Sequence, residues 1–132
     1  MGNNKQGNME KDFTPHEQAL GLKEIGFDDP CLKFYATGKL VLGLDTENGD
    51  TNTKLNWYNP SYVSAPTFSQ AFRFFREKGY QIWIPQNEEG YQFIIRWRFE
   101  HTGGMEALTK INSHEEAELE CLKKLIELAK GK

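Results

Sequence analysis

The side chains able to do chemistry are few and poorly spaced for it. Three histidines occur, His16, His101 and His114, and none stands at a metal-ligand spacing from another histidine or a cysteine. His114-Glu115 opens like a zinc-protease helix, but Glu118 holds the place of the second histidine, so the segment reads as a charged first helical turn. Asp45-Thr46-Glu47-Asn48-Gly49 has the acidic spacing of a calcium loop. Its glycine comes one position early, Asn56 stands where the closing glutamate belongs, and no helices are expected on either side, so a solvated turn accounts for it. Ser61, Ser64 and Ser69 have no nearby histidine and no nucleophile elbow. Cys31 sits in a strand pattern and Cys121 in the interior stripe of a helix. Two buried free thiols are expected, not a disulfide and not an activated thiolate. No metal, cofactor or catalytic residue is assigned, and no group of side chains supplies a paired base, nucleophile and anion site.

The candidate binding residues lie on a ribbon from Tyr80 to Phe99. Tyr80, Ile82 and Ile84 alternate onto one face of a first strand. Tyr91, Phe93, Ile95, Trp97 and Phe99 do so on a second. Pairing Ile84 with Tyr91, Ile82 with Phe93 and Tyr80 with Ile95 makes the faces agree. Alternation then leaves Gln81, Trp83, Gln92, Ile94, Arg96 and Arg98 on the opposite side. A tryptophan and an isoleucine beside two arginines suit the core of a protein interface, where aromatic and guanidinium groups bury much area. A second aromatic group, Trp57, Tyr58 and Tyr62, falls in a long polar connection over 45–63. Arg73 and Arg76 raise a single-stranded nucleic-acid alternative shared with Arg96 and Arg98. Residues 64–100 carry Arg73, Arg76, Lys78, Arg96 and Arg98 against Glu77, Glu88, Glu89 and Glu100, a net charge of only +1, which disfavours it.

The elements that would hold these residues follow from local signals. Residues 1–12 are polar and rich in glycine and asparagine, and read as a disordered tail before a single domain over 13–130. Thr14, Pro15 and Glu17 make a capping box for a first helix, and Gly26 stands where its C-cap glycine belongs. A hairpin over Cys31 to Leu44 is expected with a three-residue Ala36-Thr37-Gly38 loop pairing Phe34 with Leu40. Ser64-Ala65-Pro66 opens a second helix ending at Lys78-Gly79, with Phe68, Ala71, Phe72 and Phe75 at i, i+3, i+4, i+7. Gly103-Gly104 reads as a break and Ala107 to Ile111 as a short connector. Ser113 and Glu116 then cap a last helix with a stripe of Ala117, Leu122, Leu125 and Ala129. The order is α-ββ-α-ββ-α, an α+β fold with one antiparallel sheet of about four strands and helices on one face.

Composition sets outer limits. The 132 residues are 38% hydrophobic and 13% aromatic, enough for a core, and carry a formal charge of −3. Mild acidity argues against a dedicated nucleic-acid coat. No apolar run reaches the length of a membrane span, and the N-terminus lacks the apolar stretch of a signal peptide, so a cytoplasmic protein is expected.

Three stretches carry a resemblance: Glu17 to Leu32 (EQALGLKEIGFDDPCL), Ser64 to Lys78 (SAPTFSQAFRFFREK) and Glu115 to Ile126 (EEAELECLKKLI). Together they resemble a group of short proteins carried by phages, prophages and mobile elements of gut and marine Bacteroidetes. The resemblance implies a mobile-element origin and a bacterial host cytoplasm. It brings no activity, cofactor or catalytic residue. The expectation is a non-catalytic accessory or interaction protein, with an unidentified protein partner and an oligomeric state left open.

Overall fold

The computed structural model describes residues 12–29, 31, 33–36, 39–42, 63–99 and 102–131. The chain is α+β and divides into two compact units, residues 1–69 and 70–132. The described residues form two antiparallel sheets, one of three strands and one of four, where a single sheet was expected. None of their helices is long and apolar enough to cross a membrane.

In the first unit, helix α1 (His16–Glu24) precedes strands β1 (Lys33–Ala36), β2 (Lys39–Leu42) and β3 (Val63–Ala65), in sheet order β2-β1-β3. Gly26 ends α1 as expected, at φ 97. The N–H of Phe27 donates to Leu22 O and that of Gly26 to Lys23 O, the two bonds of a Schellman motif. The expected capping box does not form. Pro15 occupies the N-cap with extended backbone, and Thr14 is engaged elsewhere, its N–H donating to Pro66 O and its carbonyl accepting from the Tyr35 hydroxyl, both at 2.8 Å. Its own hydroxyl is buried and has no hydrogen-bond partner among the described residues. A bridge between Phe13 and Thr67 holds this segment to the chain beside it, and that attachment overrides the local capping signal.

Two further expectations fail here for one reason, the third strand. Ser64 and Ala65 do not begin a helix; they pair with Phe34 and Lys33. Pro66 disfavours helical backbone at the residue before it, and the helix starts only at Phe68. With β3 on its far side, β1 is central. Phe34 is buried and the Tyr35 hydroxyl donates to Thr14 O, so successive residues of β1 both have partners in the first unit. The strands pair with Phe34 opposite Val41 and Ala36 opposite Lys39, not in the expected register of Phe34 opposite Leu40.

Helix α2 (Phe68–Glu77) leads into the second unit, followed by β4 (Tyr80–Trp83), β5 (Gln86–Asn87), β6 (Gly90–Phe99), β7 (Thr102–Ile111) and α3 (His114–Lys130). The α2 stripe is as expected: Phe68, Ala71, Phe72 and Phe75 are all buried. Ser113 caps α3, its hydroxyl accepting from Glu116 N at 3.1 Å, and Ala117, Cys121, Leu122, Leu125 and Ile126 are buried. β6 is central, with β4 and β5 along one side and β7 along the other.

The β4–β6 register differs from expectation by two residues. Ile82 faces Ile95, Tyr80 faces Trp97, and Gln86 faces Tyr91. A tight turn sets it: Asn87 faces Gly90, and Asn87 Oδ1 accepts from Glu89 N at 2.9 Å. A two-residue slip preserves which side chains share a face. The larger correction is β7. Gly103-Gly104 is not a break but part of a ten-residue strand, with Gly104 opposite Trp97. A Cβ at Gly104 would lie 2.4 Å from the indole Cζ2, so the ring occupies the space a side chain would take.

Candidate functional site

Alternation along β6 builds the outer face of the second sheet. Phe93 and Ile95 point inward at 3% and 0% exposure, and Gln92, Ile94, Arg96 and Arg98 stand on the other side. Directly paired residues of antiparallel strands share a face, which extends the surface across three strands. One rung is Trp83, Ile94 and Ala107; the next is Gln81, Arg96 and Met105; a third pairs Arg98 with Gly103. Trp83 is 45% exposed and Met105 58%. The Arg96 guanidinium carbon lies 5.8 Å from the centre of the Trp83 ring, within cation–π reach.

Electrostatically the face is one-sided. Arg96 and Arg98 form no ion pair among the described residues, and the rungs hold no carboxylate, although the whole chain is acidic. The residues expected on this face, Trp83, Ile94, Arg96 and Arg98, are thus brought together. Met105 and Ala107 join them from β7 and were not anticipated. The only sequence signal for them was the alternation Gly103, Met105, Ala107, obscured by the adjacent glycines. Trp57, Tyr58 and Tyr62 lie outside the described residues. Arg73 and Arg76 are exposed on α2, and Arg76 Nη2 donates to Ile82 O at 3.3 Å, so this arginine is partly committed to the backbone of β4.

The described histidines do not converge. The His16 ring is 4.9 Å from that of Tyr35, whereas His114 lies 3.6 Å from a Glu118 carboxylate oxygen and 5.8 Å from the Tyr91 ring. Among the described residues no group of three or more His, Cys, Asp or Glu could hold a metal ion.

Both cysteines are free and buried, as expected. Burial pushes the Cys31 thiol up to about 12, with Asp29 adding to the effect. Burial likewise pushes Cys121 up to about 12, opposed by Arg76 and reinforced by Glu118. In the unfolded chain both thiols ionise from about pH 9. Unfolding then releases protons that the folded state keeps, so stability falls as pH rises from 9 towards 12. Denaturation midpoints should decline through that window and decline less in a Cys31→Ala/Cys121→Ala variant. An identical decline in both chains would assign it to other groups.

No protein-family model, no curated protein and no solved structure matches the chain.

Proposed function

We propose that this protein is a small non-catalytic interaction module of phage or mobile-element origin, acting in the host cytoplasm through the outer face of its second sheet. The observation that supports this reading is the half-exposed Trp83 beside Arg96, flanked by Ile94 and Met105 on a face whose two guanidinium groups form no ion pair among the described residues. In it, Trp83 is the anchor that a partner buries, and Arg96 and Arg98 pair with acidic groups around it. Desolvating an indole and forming bidentate guanidinium–carboxylate bonds are the two contributions that most often dominate interfaces.

Trp83→Ala combined with Arg96→Glu should weaken partner capture from infected or host cells by at least about thirtyfold, the size of a lost hot spot. The melting temperature should barely move, because surface changes usually lie within about 0.5 kcal/mol. A collapse of stability would show that the face serves the fold. A second reading, single-strand nucleic-acid binding, is favoured by the same Trp83–Arg96 pair. A labelled oligonucleotide that fails to bind at low ionic strength would end it.

A further inference from the structure

Helices cover the inner face of the second sheet. The ring of Phe75 on α2 lies 5.7 Å from that of Tyr80 on β4, and Lys124 of α3 lies 3.9 Å from Glu106, which stands opposite Ile95. On the other side of the same strands Trp83, Arg96, Arg98, Met105 and Ala107 are all exposed. These outer residues fall into two zones along β6. The rung of Trp83, Ile94 and Ala107 is apolar. The next two rungs hold Arg96, between Gln81 and Met105, and Arg98, beside Gly103. Gly103 has no side chain to close over Arg98, so that guanidinium is open on the β7 flank.

We infer that the outer face takes an acidic amphipathic helix of a partner protein, with a large apolar residue on the Trp83 rung and two carboxylates over Arg96 and Arg98. This rests on the reading of the face as a protein-binding surface and adds the kind of segment it binds. Charge selects an acidic segment. Neither guanidinium has an ion pair among the described residues, and the three rungs hold no carboxylate to answer them. A second copy of this chain is a poor occupant, because two outer faces laid together oppose arginine with arginine. Backbone chemistry selects a helix. In mid-sheet the strands' own N–H and C=O groups bond to one another. An extended segment laid across them would bury backbone groups that find no partner, whereas a helix satisfies its own. Helix on sheet is already how this unit buries its inner face. The spacing agrees as well. Successive same-face residues of β6 stand about 6.7 Å apart, and four residues of helix rise about 6 Å. An apolar residue with carboxylates at the next two four-residue steps thus tracks Ile94, Arg96 and Arg98. A single nucleic-acid strand fits less well, since the Arg96 guanidinium already lies over the Trp83 ring, where a base would stack.

Three probes offered to the full chain separate the outcomes: a displayed library randomised on one face of a fixed helical frame, a displayed library of random linear peptides, and a single-stranded oligothymidylate. The helical library should yield the tightest binders. They should carry Asp or Glu at two positions four residues apart, with a large apolar residue four residues before or after the pair. Replacing both carboxylates of such a peptide by amides should weaken its binding to the native chain by about tenfold or more. The same replacement should change binding to an Arg96→Ala/Arg98→Ala variant by less than about twofold. Should that variant fail to fold, salt decides on the native chain: raising it should weaken the carboxylate peptide and spare the amide peptide. Helical binders that lack the acidic pair, tighter binding by linear peptides or by the oligothymidylate, an amide effect that persists in the arginine variant, or equal salt sensitivity of the two peptides would each overturn the inference. Such a failure leaves the broader reading standing if Trp83→Ala with Arg96→Glu still loses its cellular partner. If that variant keeps its partner, the broader reading falls too.

Discussion

Gly90→Val lowers the melting temperature by roughly 10–20 °C. Gly90 opens β6 at φ 131, backbone that side-chain-bearing residues rarely adopt. A Cβ there would also lie 2.7 Å from the Ile111 carbonyl oxygen, which belongs to the neighbouring strand and cannot swing aside. Backbone strain and overpacking each cost about 1–3 kcal/mol, and together they take a large share of the roughly 5–15 kcal/mol that holds a domain of this size. The turn residue beside it gives the control. Glu89→Ala removes one exposed ion pair with Lys110 and should change stability by less than about 1 kcal/mol. Thermal melts by circular dichroism compare the two. A Gly90→Val variant that melts with the native chain would show that the Asn87–Gly90 turn does not fix the β4–β6 register.

Phe75→Ala should cost about 3–5 kcal/mol in chemical denaturation, the range for deleting a buried aromatic ring. Phe75 is fully buried on α2, edge-on to Tyr80 at 5.7 Å and to Phe74 at 5.3 Å. Tyr80 in turn meets the Phe99 ring at 5.4 Å. The ring of Phe75 thus ties α2 to the inner face of the second sheet through β4. Removing it leaves a cavity lined by rings that cannot all close on it. Phe75→Leu keeps most of the volume and should lose clearly less. A loss below about 1 kcal/mol for the alanine variant would mean that the α2 stripe contributes little to the core.

The parts legible in the sequence are those where one local signal acts alone. The period of Phe68, Ala71, Phe72 and Phe75 gives α2, Gly26 gives the end of α1, and Ser113 gives the start of α3. The alternation from Tyr80 to Phe99 gives the two faces of the ribbon, which survive a two-residue slip in register because side chains repeat every second residue. The parts that were not legible depend on a distant segment. Thr14 has the chemistry of a cap, but its backbone is held by Pro66 and Tyr35. Ser64 and Ala65 precede a helix yet belong to a strand, because β1 recruits them; Pro66 was the local hint. β7 was hidden because Gly104 reads as a breaker when seen alone and as a seat for the Trp97 ring once β6 lies beside it. The candidate face was half legible in consequence: the contributions of β4 and β6 could be read from alternation, and that of Met105 and Ala107 could not.

The position of Trp83 gives the molecule an optical report on its own surface. An indole that is 45% open to water, with a guanidinium 5.8 Å from its ring centre, emits at long wavelength and is open to quenching by dissolved ions. Among the described residues the other tryptophan, Trp97, is seated against Gly104 and supplies a more sheltered background, and a Trp57→Phe variant leaves these two as the emitting pair. Whatever covers the outer face must therefore shift the emission to the blue and shield it from iodide, with no label attached.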